Sequence, residues 1–179
     1  MGALTTTGAA SAKTLVVSTG DRPETQQYLT FMLSGEVYAI GILAVREIIE
    51  FGQLTEVPNM PDFIRGVINL RGAVVPVVDL SVRFGKGETA VSRRTCIVIN
   101  EIENDGETQT IGVMVDAVNE VLEIPASEIE MPPTFGAKIR SDFIEGMGKV
   151  EGKFVILLNV DRVLSVDEMS ELVAARSQR

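Results

Sequence analysis

FIRGVINLRGAVVPVVDL, residues 63–80, aligns without a gap with FIEGMGKVEGKFVILLNV, residues 143–160. Corresponding residues, such as Phe63 and Phe143, are 80 positions apart. This separation is longer than the period of roughly 20 to 50 residues that is typical of solenoid repeats. The repeat therefore predicts that the chain contains two copies of one small domain, packed together.

A weaker similarity precedes each of these segments, because residues 40–48 resemble residues 111–121, which include two extra residues. Each copy contains five short apolar runs separated by turn residues, as expected for β-strands. The pairs Arg71-Gly72 and Glu151-Gly152 favour tight hairpins between the fourth and fifth runs. We therefore expect an all-β fold of two tandem five-stranded barrels, since closed sheets leave no exposed strand edges.

The boundaries of these units follow from composition. Residues 1–25 are rich in Thr, Ala, Ser and Gly, which favours a disordered tail. Residues 26–92 are assigned to the first barrel and residues 93–164 to the second, and exchange of strands between the barrels is compatible with the sequence. Residues 165–179 begin with a capping box and continue with apolar residues at helical spacing, which predicts a short C-terminal helix and tail.

Charge and residue types exclude several functions. A net charge of -9 disfavours nucleic-acid binding, which requires a basic surface. The chain has no histidine, and this removes the commonest general base and metal ligand. The single cysteine, Cys96, cannot form an internal disulfide, and no apolar run approaches the roughly 20 residues of a membrane span. We expect a soluble cytoplasmic protein without a signal peptide, membrane anchor, metal or cofactor.

A catalytic alternative rests on carboxylates. Asp79 and Asp116 each follow an apolar strand, and together with Glu120 they are the best candidates for acid/base chemistry. Aspartates at strand ends more commonly form turns, however. We therefore expect a binding protein rather than an enzyme.

The two copies differ in charge at matched positions. Arg65 corresponds to Glu145, and Arg71 corresponds to Glu151. For Arg65, drift on a solvated loop explains the difference equally well. Arg71 is the better candidate for a partner contact, because an arginine held on a two-residue turn loses little freedom on binding and arginine is enriched in binding hot spots.

Three segments in order resemble the CheW family, the coupling proteins of bacterial chemotaxis. They are YAIGILAVREI at 38–48, VPNMPDFIRGVINLRGAVVPVVDL at 57–80 and IGVMVDAVNEVLEI at 111–124. The resemblance covers about residues 28–165. It implies two SH3-like barrels, no catalysis, and an adaptor that joins the cytoplasmic tips of chemoreceptors to the regulatory domain of the chemotaxis histidine kinase. The same adaptor in a non-flagellar chemosensory pathway, such as surface motility, is an alternative.

The resemblance also implies two contact surfaces. The receptor-binding groove of the family corresponds here to Val45, Glu47, Gly66, Arg71 and Val121. The kinase and array contact corresponds to Glu130 and Phe135. Some members of the family carry a basic residue where this chain has Glu130. Such an adaptor is expected in the cytoplasm, attached to membrane-bound receptor arrays through its partners.

Overall fold

The computed structural model describes residues 25–104, 106–131 and 143–164. The tail predicted up to residue 25 lies outside these ranges except for Thr25, which begins the first strand. The helix predicted within 165–179 lies outside them as well. The described strands are β1 (Thr25–Leu33), β2 (Glu36–Gly41), β3 (Val45–Glu50), β4 (Ile64–Leu70), β5 (Ala73–Asp79), β6 (Cys96–Asn104), β7 (Glu107–Val115), β8 (Ala117–Pro125), β9 (Ile129–Glu130), β10 (Ile144–Val150) and β11 (Lys153–Leu158). Two one-turn helices are α1 (Leu80–Arg83) and α2 (Val160–Val163).

The strands form two sheets, and each sheet takes strands from both copies of the repeat. The first sheet has the order β9-β10-β11-β2-β1-β8, and the second has the order β3-β6-β7-β5-β4. The opening hairpin β1–β2 of the first copy therefore lies in the sheet that holds β10 and β11 of the second copy. The opening hairpin β6–β7 of the second copy lies in the sheet that holds β4 and β5 of the first copy. Parallel pairing joins the copies at β11 with β2 and at β5 with β7. The predicted all-β class with two sheets is confirmed.

Each sheet is closed by the continuation of the third strand of a copy. In the second sheet, Thr55 follows β3 and forms two backbone hydrogen bonds of 2.9 Å with Val67 of β4. In the first sheet, the chain leaves β8 through a one-turn 3₁₀ helix, and β9 then pairs with β10. These contacts join the two edges of each sheet, which produces the barrel shape and protects the strand edges.

The hairpin turns repeat in detail. Arg71 and Glu151 both have a φ of 51°, and Gly72 and Gly152 follow with φ of 90° and 81°. Two consecutive residues with positive φ are characteristic of the type I′ turn, which suits the twist of a two-residue hairpin. The prediction of tight hairpins at these positions is confirmed.

The β6–β7 hairpin is longer than its counterpart β1–β2. Phe31 pairs with Val118, and Asn100 pairs with Val45. Because Val45 and Val118 correspond in the repeat, Phe31 and Asn100 occupy equivalent positions. From these positions β6 continues for two residues more than β1 does. The extra residues of the second copy therefore lie in the β6–β7 hairpin, on the N-terminal side of residues 111–121, where the sequence comparison placed them.

The largest apolar cluster lies between the two sheets. Its fully buried side chains include Phe31 and Tyr38 from β1 and β2 on one side, and Val98 and Val115 from β6 and β7 on the other. Each barrel has a smaller interior cluster of its own. One contains Tyr28, Ala39, Ile124, Val155 and Leu157, and the other contains Val75, Val77, Ile97, Ile99 and Met114. Most of the buried apolar residues in these clusters therefore lie between the two sheets.

Arg83 connects the two copies at the centre of this interface. Its guanidinium carbon lies 4.7 Å from the ring centroid of Phe63 and 4.7 Å from that of Phe143, which are equivalent residues. Its Nε donates a hydrogen bond of 3.2 Å to the carbonyl of Val163, the residue that corresponds to Arg83 itself. A single arginine thus stacks between two repeat-related rings and supports the junction of the barrels.

Asn100 is a polar side chain in this apolar interface, and its replacement should stabilise the fold. It is fully buried, its Nδ2 donates to the carbonyl of Val98 at 2.9 Å, and its Oδ1 has no partner within the described ranges. An unsatisfied buried acceptor costs about 1 to 3 kcal/mol. We expect Asn100→Leu to raise the free energy of unfolding by about 1 kcal/mol in urea titrations. Asn100→Ala is the control for side-chain volume, and a lower value for Asn100→Leu than for wild type would contradict this expectation.

Candidate functional site

An exposed ion pair between Arg71 and Glu47 marks the candidate receptor surface. Glu47 lies on β3 and Arg71 on the β4–β5 turn, and the guanidinium contacts both carboxylate oxygens. The hydrogen bond from Arg71 lowers the pKa of Glu47, and the carboxylate raises the pKa of Arg71. The Arg71 side chain is 68% exposed, as its position on a hairpin turn predicts. Both groups therefore carry their charge at neutral pH and are accessible to a partner.

The turn that carries Arg71 is held by a local hydrogen bond. Asn69 accepts a bond of 2.8 Å from the backbone N–H of Gly72 through its Oδ1. Short Asn side chains commonly bind backbone in this way within turns. The backbone of Arg71 is thus fixed, and the guanidinium is further oriented by Glu47.

Val45 and Gly66 lie in the same sheet but play different parts. Val45 begins β3, is half-buried, and packs against the cluster between the sheets. Gly66 is buried in β4 with φ 155°, and a Cβ there would lie 2.5 Å from the carbonyl oxygen of Thr55. Any larger residue would therefore push apart the Thr55–Val67 bridge that closes the barrel. Closure of the barrel therefore favours glycine at this position.

Val121, the fifth predicted receptor residue, lies on the other barrel. It is on β8, pairs with Leu29 of β1, and is 46% exposed. The predicted surface therefore involves both barrels, with Val45, Glu47, Gly66 and Arg71 on the second sheet. Among these residues, the structure places Glu47 and Arg71 in direct contact.

The predicted kinase surface is only partly described. Glu130 is exposed on β9 and pairs with Met147 of β10. Met131, which follows it, is 84% exposed. Phe135 lies outside the described residues. The described part of this surface combines a carboxylate with a large exposed apolar side chain.

Arg65 is not on a solvated loop, because it forms an ion pair with the fully buried Asp79. Its Nη1 lies 2.7 Å from Oδ2 of Asp79, and its side chain is 21% exposed. Asp79 also accepts hydrogen bonds from the backbone N–H groups of Ser81 at 3.0 Å and Thr89 at 2.9 Å, and from the Thr89 hydroxyl at 2.7 Å. This carboxylate caps α1 and fastens the segment between the two copies.

The other carboxylates considered for catalysis are also occupied or exposed. Asp116 accepts a hydrogen bond of 2.9 Å from the backbone N–H of Ser34, which fixes the β1–β2 turn. Glu120 lies on the exposed side of β8. Aspartates at strand ends here hold turns, as the sequence pattern favours.

The network around Asp79 carries no local sequence signal. Its partners Arg65 and Thr89 lie 14 residues before and 10 residues after it. Arg83 likewise has no local sequence signal, because its ring partners come from both copies. The repeat itself offers the only hint, since Asn159 replaces Asp79 where Glu145 replaces Arg65.

The described ranges contain no group of three or more His, Cys, Asp or Glu residues placed to hold a metal ion. No helix within them has the length and apolar character needed to cross a membrane.

The chain is similar to known proteins over most of its length. The family model of the CheW-like domain matches residues 27–168. The chain is 36% identical to the chemotaxis protein CheW of Klebsiella aerogenes over 145 residues, 81% of this chain and 85% of the relative. It is 30% identical to the protein FrzA of Myxococcus xanthus, covering 80% of this chain and 87% of that protein.

A solved structure supports the same assignment. The crystal structure of the scaffolding protein TtCheW from Thermoanaerobacter tengcongensis superimposes with a TM-score of 0.71 at 36% sequence identity. The match covers 83% of this chain and 94% of that one. With two interleaved barrels and a family match over most of its length, this chain belongs to the CheW-like family.

Proposed function

We propose that this protein is a non-catalytic adaptor that couples the cytoplasmic tips of chemoreceptors to the regulatory domain of the chemotaxis histidine kinase. The observation that carries the proposal is the match to the CheW-like domain over residues 27–168, in a fold shared with a scaffolding protein. The adaptor acts in the cytoplasm and is held at membrane-bound receptor arrays by its partners.

The receptor contact is assigned to the surface around the Arg71–Glu47 pair. A guanidinium that is oriented by a neighbouring carboxylate keeps free N–H groups for carboxylates or carbonyls of a partner. Val45 and Val121 add apolar area on either side of the junction between the barrels. Arginine beside apolar side chains is a common composition of interface hot spots.

The kinase and array contact is assigned to Glu130 and Phe135. Its described part lies on β9 and β10, at an edge of the first sheet, and includes the exposed Met131. The receptor contact centres on the second sheet. Two separate surfaces of this kind suit a protein that holds two partners at once.

A second candidate is the same adaptor in another chemosensory pathway. It is favoured by the similarity to FrzA, whose identity of 30% is close to that of several chemotaxis relatives. Both candidates require the same surfaces and differ in the receptors and kinase that are bound. Binding assays with receptor tips and kinase fragments from each pathway would separate them.

Replacement of Arg71 tests the receptor contact. We expect Arg71→Ala to weaken binding of a receptor-tip fragment on the order of thirtyfold in isothermal titration, as for a hot-spot arginine. Its melting temperature should be nearly unchanged, because an exposed ion pair contributes little to folding. Its affinity for the kinase regulatory-domain fragment should also be unchanged.

Glu151→Ala is the matched control, since Glu151 occupies the same turn position in the other copy. It should leave receptor affinity as it is. An equal loss for both variants, or no loss for Arg71→Ala, would rule out the Arg71 turn as the receptor anchor.

A further inference from the structure

The first sheet has a groove at the place where the second sheet has the Arg71–Glu47 pair. Glu151 corresponds to Arg71, and Glu120 corresponds to Glu47. Both line an open groove of about 540 Å³. Its apolar walls include Leu122, Met147 and Phe154.

The charge inversion places two carboxylates, Glu120 and Glu151, where the second sheet has the Arg71–Glu47 ion pair. These two carboxylates cannot form an ion pair with each other. In the part of the chain that the structure describes, neither side chain forms a hydrogen bond or an ion pair. Lys153 also lines the groove, while the carboxylate of Glu36 at its rim is already bound to Lys86 at 2.7 Å.

An apolar contact is available beside these carboxylates. Phe154 is 51% exposed on β11, close to the turn that carries Glu151. An exposed aromatic ring offers its face to a cation and its area to an apolar side chain. Large exposed aromatic residues beside a groove are typical of protein-binding sites.

We propose that this groove binds a protein segment that carries an arginine next to an apolar side chain. The arginine of the partner supplies the positive charge that Arg71 supplies in the second sheet. It contacts Glu120 and Glu151. Arginine is preferred over lysine, because a planar guanidinium reaches two carboxylates at once and stacks on an aromatic ring. The apolar neighbour packs on Phe154. The occupant belongs to a partner other than the receptor tip, so this inference stands apart from the receptor contact at Arg71.

The test uses the full chain labelled with ¹⁵N and a peptide probe, acetyl-Leu-Arg-Leu-amide. We expect chemical-shift changes at the amides of Glu120, Glu151 and Phe154, weaker binding of the lysine analogue, and no binding of the glutamate analogue. Changes centred elsewhere, or equal binding of all three peptides, would overturn the proposal. Without the probe, the chain is also titrated alone by raising its own concentration. If the same amides then shift, the occupant is a second copy of the chain, and the proposal is overturned.

Glu151→Arg provides the decisive variant. The new arginine should form an ion pair with Glu120, like the pair of Arg71 with Glu47, and fill the groove. The backbone accepts arginine at this position, because Arg71 has the same φ of 51°. We expect at least about a tenfold loss of probe affinity. Glu88→Arg makes the same charge change at an exposed position outside the groove and should leave the affinity unchanged. Equal losses in the two variants would show general charge attraction and refute the site.

Discussion

Residues 26–92 expressed alone should show no cooperative melting transition. This segment holds β1 to β5, but these strands do not form one sheet. β3 pairs with β6, and β1 pairs with β8, so both lose a neighbour when residues 93–164 are removed. The remaining β1–β2 and β4–β5 hairpins would expose the face that the apolar cluster between the sheets normally covers. Isolated hairpins of this kind are marginal in water.

Circular dichroism during heating, with the full chain as reference, measures this effect. Mixing residues 26–92 with residues 93–164 is the matched control, because the two fragments together contain every described strand except the first residue of β1. We expect the mixture to recover a cooperative transition that neither fragment shows alone. A sharp transition of the 26–92 fragment by itself would mean that its five strands can close without the other copy.

The local features of the fold were predictable from the sequence, because they depend on neighbouring residues. Arg71-Gly72 specifies a two-residue turn with positive φ, and the strands on either side of it pair as a hairpin. The repeat of 80 positions then transfers the same hairpin to Glu151-Gly152. Hairpin pairing is set within about twenty residues of chain, and that information is present in the local pattern.

The exchange of hairpins between barrels could not be fixed from the sequence. It depends on the parallel contacts of β2 with β11 and of β5 with β7, which join distant segments. Apolar alternation shows that each strand has a buried face and does not show which copy provides its neighbour. The boundary near residue 92 therefore stays a prediction about the repeats along the chain, while each sheet is assembled from both repeats.

For the site residues, too, local features were predictable from the sequence and contacts between distant segments were not. The exposure of Arg71 follows from its turn, but its contact with Glu47 arises only when β3 and the β4–β5 turn meet on the closed barrel. Arg65 looked equally compatible with a solvated loop, yet its partner Asp79 lies on the adjacent strand and is buried. Contacts across a closed sheet need the register of the strands, which spacing alone does not provide.

Asp79→Ala should lower the free energy of unfolding by about 3 to 5 kcal/mol. The carboxylate is fully buried, and it binds the guanidinium of Arg65, the backbone of Ser81, and both the backbone and the hydroxyl of Thr89. Its removal leaves the partly buried Arg65 cation and the buried Thr89 groups without their acceptor. Groups stranded in this way cost far more than the loss of an exposed ion pair.

Urea denaturation of Asp79→Ala and of Asn159→Ala provides the comparison, since Asn159 occupies the same position in the other copy. Its Oδ1 accepts a bond of 3.3 Å from the backbone N–H of Arg162, so its replacement should cost only about 1 kcal/mol, as for a helix cap. Arg65→Ala combined with Asp79→Ala should be less harmful than the sum of the single variants, because no cation remains without its partner. Equal costs at Asp79 and Asn159, or strict additivity in the double variant, would show that the Arg65–Asp79 pair does not anchor the segment between the copies.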